Sequence, residues 1–173
     1  MPPRSGSRRR STEPLVFFWY IGPSVLGVYE VFRSRGLDYR LISLGSLLPL
    51  LIDLPTGHFG PGHSIVVAVG GLTVVMVSTI GRSRLVRRRL VCLPIGWLCG
   101  LVLSGAFLHD RTFLWPLLGT DVGSVGLVPP LTLLVVAEAA GVAMIAWSLG
   151  RFGLNRPAPR TEFLRTGRLV ESS

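Results

Sequence analysis

The sequence is poor in charge, contains no lysine and has only two cysteines. Charged side chains make up 16% of its 173 residues and hydrophobic ones 49%, whereas soluble domains carry about 25% charged residues. The apolar content excludes disorder over most of the chain, and the cysteine count excludes a disulfide scaffold. The low charge argues against one small soluble enzyme domain. The composition therefore predicts an all-α protein, a polytopic transmembrane helical bundle.

The basic residues are all arginines, and they give the chain a net charge of +9. A nucleic-acid-binding protein would gather them on one exposed face with aromatic residues between them. Here they fall between apolar runs, as in loops that flank membrane spans. The pattern favours the lipid bilayer as partner and argues against nucleic acid. The clusters lie at 4–10, 33–40, 82–89 and 151–168.

Three regions follow from the pattern of apolar runs. The pattern predicts a disordered tail over residues 1–14, a transmembrane helical domain over 15–149, and a basic cytoplasmic tail over 150–173. Because a helix needs roughly 20 residues to cross a bilayer, the second of five runs is short, and it contains Pro49. This second run is either a re-entrant segment or a fifth helix beside four spanning ones. In the last run, Pro129 and Pro130 fit the first turn of the helix. The runs are 15–32, 41–54, 64–80, 90–108 and 127–149.

The arginines also predict which side each loop faces, because cytoplasmic loops are enriched in basic residues. Five spans with the N-terminus outside place 13 arginines inside and 5 outside; four spans with the N-terminus inside place 14 and 4. The counts do not separate these two arrangements. In both, the loops 55–63 and 109–126 lie on the same outer side, and the C-terminus is cytoplasmic.

Ionisable groups within the apolar runs are candidates for function. Glu138 lies deepest, and two hypotheses stay open for it: a protonated carboxyl hydrogen-bonded to a neighbouring helix, or a proton-linked carboxyl of a transporter-like protein, which would face a water-filled cavity. Glu30 lies three residues before Arg33, a spacing that favours an interfacial ion pair.

The histidines all fall on the predicted outer side, together with several aspartates. A hydrolytic metal site needs about three such ligands and an open position for water, so this set is a candidate for one divalent, zinc-like ion. Histidines and aspartates are also ordinary loop residues, and spacing alone does not choose between the two interpretations. The candidate ligands are Asp53, His58, His63, His109 and Asp110, with Asp121 nearby.

Four short motifs carry a resemblance to a known family. In order, they are residues 48–53 (LPLLID), 62–64 (GHS), 100–105 (GLVLSG) and 113–116 (FLWP). The chain resembles, over roughly residues 15–170, small bacterial inner-membrane proteins described as predicted membrane-bound metal-dependent hydrolases. Residues 38–40 (DYR) and 165–169 (RTGRL) resemble an actinobacterial branch of them more closely.

The resemblance implies a location and a set of metal ligands. The location is the bacterial cytoplasmic membrane, crossed several times. Of the family's ligands, Asp53 and His63 match. Leu50 stands where another aspartate is expected, and Gly100 and Ser104 stand where a histidine and an aspartate one helical turn apart are expected. Three of five ligands are therefore replaced by side chains that bind metal poorly or not at all.

Two accounts of this replacement remain. Either the site is rebuilt with His58, His109 and Asp110, or the fold is kept and the metal lost. The second account predicts that Gly96, Gly100 and Ser104 form a ladder of small residues at which two helices pack closely. We therefore expect a degenerate, non-catalytic site and a structural or interaction role. The alternative is an active metal-dependent hydrolase that acts on a lipid-like or envelope substrate.

Overall fold

The computed structural model describes residues 17–33, 36–120 and 125–169, and this part of the chain is helical, as the sequence predicts. The predicted tail 1–14 and Asp121 lie outside the described residues. Two short 3-10 helices, Pro61–His63 and Ala106–Leu108, precede α3 and α5. The α-helices of the described part are α1 (Phe18–Phe32), α2 (Tyr39–Asp53), α3 (Ile65–Ser78), α4 (Arg84–Leu103), α5 (Asp110–Phe113), α6 (Leu131–Arg151) and α7 (Pro157–Thr166).

Helix α4 begins six residues before the predicted run. Most of the arginines between 82 and 89, expected in a loop, lie on its first turns and are exposed. Ser83 caps the helix by accepting a hydrogen bond from the amide of Val86 (3.4 Å), and arginine is itself a good helix former. Hydropathy marks only the apolar part of such a helix, so the prediction placed its start too late.

Helix α6 corrects the prediction for the proline pair. Pro129 and Pro130 lie before the helix instead of in its first turn, because Pro130 has the extended backbone of an N-cap residue (φ −55°, ψ 145°). The helix then runs from Leu131 to Arg151.

Helix α2 is one continuous helix that contains Pro49, so its short run is helical throughout and not broken. It lies against α4 along a contact with very little side-chain material between the backbones. A methyl group added to Gly96 would lie 2.9 Å from the Cα of Gly45 and would overlap the carbonyl oxygen of Ile42. One added to Gly100 would overlap the carbonyl oxygen of Ser46. The predicted packing role of these two α4 glycines is confirmed.

The contacts between helices show how the chain alternates between two ends. Glycines later in α4 meet residues later in α2, so these helices run parallel. The arginine end comprises residues 33 and 36–38, the loop 79–83 and the segment 152–169. The histidine end comprises the segments 54–64, 104–120 and 125–130. At the histidine end the amide of Phe59 donates to the carbonyl of Val125 (2.8 Å), and His58 forms a bridge with Gly126. The described parts of the two loops predicted to share a side lie at one end of the protein.

Helix α1 runs parallel to α6 and is held by two carboxylates. The side chain of Glu138 accepts from the first amide of α1, that of Phe18 (3.1 and 3.2 Å), and so satisfies a donor at a helix start. Near the arginine end, Glu30 pairs with Arg33 (3.4 Å), as predicted, and with Arg151 (3.3 Å). Glu138 is therefore hydrogen-bonded to a neighbouring helix, which is one part of the first hypothesis, and both hypotheses about its proton stay predictions.

The segment after α6 folds back onto the start of α2. Phe152 and Leu169 are buried in one apolar cluster with Tyr39, and the amide of Tyr39 donates to the carbonyl of Gly167 (2.8 Å). The guanidinium of Arg40 donates to the carbonyl of Leu164 (2.5 Å). The two sequence features that carry the closer resemblance, 38–40 and 165–169, are therefore in contact.

One helix of the described part, α6, is long and apolar enough to cross a membrane. Only 11% of its most apolar 18-residue stretch is buried within the protein, whereas the core helix of a soluble domain is mostly buried. The shorter helix α3 is also apolar and exposes Val74, Met76 and Val77. These helices thus present apolar side chains outward.

Candidate functional site

The candidate ligands all lie at the histidine end, but only two of them are in contact. Asp53 is the last residue of α2, and His63 ends the 3-10 helix that precedes α3. The imidazole Nδ1 of His63 lies 2.7 Å from a carboxylate oxygen of Asp53, and the two side chains are 0% and 1% exposed. The structure thus brings together the two residues that match the family's motifs.

The carboxylate of Asp53 is fully used inside the protein. Its Oδ2 accepts from the amides of Gly60 (2.6 Å) and His63 (3.2 Å) and from the His63 ring, and its Oδ1 accepts from the amide of Gly62 (2.9 Å). Because an ionised carboxylate only accepts hydrogen bonds, Nδ1 of His63 is the donor in this pair. One buried side chain therefore organises the whole turn from Gly60 to His63.

The turn is also fixed from the opposite side. The indole of Trp97, on α4, donates to the carbonyl of Gly62 (2.8 Å). The hydroxyl of Ser64 caps α3 and donates to the carbonyl of Trp115 (2.5 Å). The Asp53–His63 pair thus ties α2 to the start of α3, with α4 and the loop after α5 closing round it.

Two imidazole nitrogens at this end are buried without a hydrogen-bond partner among the described residues. They are Nε2 of His63 and Nδ1 of His109. The ring of Phe59 stacks on His63 (centroids 4.1 Å apart) and meets His109 edge-on (5.8 Å). An aromatic ring therefore contacts both imidazoles.

The remaining candidates point elsewhere. His58 is exposed, and its Nδ1 lies 2.7 Å from the carbonyl oxygen of Thr56 in its own turn. Asp110 is exposed in the first turn of α5. Within the described ranges, no three His, Cys, Asp or Glu side chains come close enough to hold one metal ion. The two residues in contact are fewer than the roughly three ligands that a zinc-like ion needs, and a metal site stays a prediction.

The positions where the resemblance expects further ligands are filled by packing. Leu50 is 2% exposed and lies in an apolar cluster with Phe59 and Leu127. Gly100 faces the backbone of Ser46, and a methyl group added to it would lie 3.0 Å from the Pro49 ring. The hydroxyl of Ser104 donates to the carbonyl of Leu101 within its own helix turn (2.9 Å). A histidine at position 100 has no space in this structure.

A cavity of about 780 Å³ opens at the histidine end between α1, the end of α4 and α6. Its walls are largely apolar, with Trp19, Leu103 and Leu133 among them, and His109 and Ser104 contribute polar groups. Such a cavity has the size and character of a site for a small apolar or amphipathic molecule.

The sequence did not indicate the partners that make this site. The acceptor role of Asp53 depends on backbone amides of the 60–63 turn, and Phe59 and Trp97 come from other segments. The closest available signal was Gly60-Pro61-Gly62, a turn-forming sequence just before His63.

The chain matches no protein-family model, and no curated protein or solved structure shows significant similarity to it. The fold and the site therefore define its class by themselves. Over the described residues it is an all-α protein with one helix long and apolar enough to cross a membrane, and with a buried carboxylate–imidazole pair at one end.

Proposed function

We propose that the chain is a multi-pass protein of the bacterial cytoplasmic membrane with a structural or interaction role. In this proposal it is related to the metal-dependent hydrolases but has a degenerate, non-catalytic site. Helices α1, α2, α3, α4 and α6 cross the bilayer, the histidine end faces outward, and the arginine end faces the cytoplasm.

The apolar exteriors of α3 and α6 support the membrane part of this proposal. Val74 and Val136 are each 66% exposed, a state that water disfavours by about 25 cal/mol per Å² of apolar surface and that lipid does not. The arginines of α4 and α7 lie at one end, opposite to the histidines. This separation follows the positive-inside pattern.

The hydrogen bonding of Asp53 supports the second part of the proposal, that the site is non-catalytic. A carboxylate that already accepts from three amides and one imidazole would have to give up those bonds to bind a metal ion. Leu50 and Gly100, where the resemblance expects ligands, serve packing. The pair then acts as a structural connection between α2 and α3.

The alternative is an active metal-dependent hydrolase for a lipid-like or envelope substrate. It is supported by the two buried imidazole nitrogens without partners, Nε2 of His63 and Nδ1 of His109, and by the apolar cavity beside His109. A carboxylate that orients a histidine through Nδ1 is a common arrangement behind metal-ligating Nε2 atoms. This alternative requires a third ligand to approach both nitrogens.

One purification tests both functions. We expect the chain to stay in the membrane fraction after an alkaline wash and to enter solution only with detergent. Elemental analysis of the purified protein should find far less than one divalent ion per chain, with no difference between wild type and His63→Ala. A stoichiometric ion that His63→Ala loses, and that the exposed control His58→Ala keeps, would contradict the degenerate site and favour the hydrolase alternative instead.

A further inference from the structure

A second cavity, of about 460 Å³, lies at the arginine end between α2 and α4. Its lining divides into two parts. Leu41, Leu44, Val86 and Leu90 form an apolar wall, and Arg40 and Arg89 form a basic rim beside Asp38. Leu44, Val86 and Leu90 are 48%, 40% and 41% exposed, so the wall opens to the surroundings of the helices.

The rim carries a net positive charge. The carboxylate of Asp38 is buried and is bound by the guanidinium of Arg40 (3.1 and 3.2 Å) and by the amide of the same residue. Within the described ranges, no carboxylate lies within ion-pair distance of the exposed Arg89. One of the two arginines is therefore balanced inside the protein and the other is available to an anion from outside.

We propose that this cavity binds an anionic phospholipid of the cytoplasmic leaflet. The phosphate is held by Arg89, beside the Asp38–Arg40 pair, and an acyl chain lies along Leu41 and Leu44 of α2 and along the facing residues of α4. The inference rests on the proposed membrane location. Charge complementarity selects the headgroup, since guanidinium groups bind phosphate by short, charge-assisted hydrogen bonds.

The chain offers a matched control for diffuse attraction. Arg84 belongs to the same cluster, lies on the first turn of the same helix and is also exposed, but it does not line the cavity. Arg89→Gln and Arg84→Gln remove the same charge from the first turns of the same helix. A general basic surface predicts equal effects of the two substitutions, whereas a cavity site predicts unequal ones.

The test measures binding of phosphatidylglycerol and phosphatidylcholine to the full chain in detergent, by native mass spectrometry. We expect the wild type to prefer phosphatidylglycerol, Arg89→Gln to weaken that binding about tenfold through loss of one charged hydrogen-bonding group, and Arg84→Gln to change it less than about twofold. Inorganic phosphate at equal concentration should not compete, because it has no acyl chain.

Equal losses in the two variants, equal binding of the two lipids by the wild type, or displacement by inorganic phosphate would each overturn the lipid site. These results are distinct from failure of the proposed function. A chain recovered in solution without detergent contradicts the membrane location. If the chain stays in the membrane but Arg89→Gln and Arg84→Gln lose lipid binding equally, only the cavity site is contradicted.

Discussion

Gly96→Val is expected to prevent stable packing of α2 on α4. The carbonyl oxygen of Ile42 and the Cα of Gly45 occupy the space that a side chain at position 96 would need. Both obstacles are backbone atoms, so no rotamer change relieves the overlap and the two helices must separate. Overpacking usually costs about 1–3 kcal/mol, and with rigid backbone on both sides we expect the upper end or more. The measurement is thermal unfolding of the purified variant in detergent.

Gly70→Val is the matched control for this prediction. Gly70 lies in α3, and a methyl group added there meets no atom within 4 Å. It should leave the midpoint of unfolding within a few degrees of the wild type. If Gly96→Val unfolds at the same temperature as Gly70→Val, the close contact between α2 and α4 is wrong.

Asp53→Ala should produce the second large loss of stability. The substitution leaves the amides of Gly60, Gly62 and His63 and the His63 ring without their buried acceptor. One unsatisfied buried donor costs about 1–3 kcal/mol, and four donors lose their acceptor together in this variant. We expect about 3–5 kcal/mol, seen as a lower unfolding midpoint and as faster hydrogen exchange of the amides at residues 60–63.

Asp110→Ala controls for the loss of a carboxylate at the same end. Asp110 is exposed in the first turn of α5, so its removal should cost less than about 1 kcal/mol. A wild-type unfolding midpoint for Asp53→Ala, with unchanged amide exchange in the 60–63 turn, would contradict the structural role of the pair.

Much of the helical architecture could be predicted from the apolar runs, because length and hydropathy report how much of a helix avoids water. They do not report where a polar helix turn continues, and α4 begins at Arg84 for that reason. The same limit applies after Arg151. The charged segment there reads as a tail, yet Phe152 and Leu169 are buried against Tyr39. These two residues lie at opposite ends of a segment that also contains glycines, prolines and arginines, so they form no periodic pattern that would predict this contact.

The candidate site could be predicted only in part. Asp53 and His63 are ten residues apart, and the motifs that contain them suggested a common role; the structure places them 2.7 Å apart. Residue types alone suggested metal ligation for both. The role of Asp53 depends instead on the amides of Gly60 and Gly62, which every residue except proline possesses. No sequence pattern reveals which carboxylate those amides will meet.

The sidedness of the two ends tests the central claim most directly. Single cysteines replace His58, Asp110 or Arg82, all three exposed, and intact bacterial spheroplasts are treated with a membrane-impermeant maleimide. The wild type, whose Cys92 is buried and Cys99 half-buried, supplies the background. The account predicts labelling at positions 58 and 110 in intact cells and at position 82 only after lysis. Labelling at 82 in intact cells, or different compartments for 58 and 110, would contradict it.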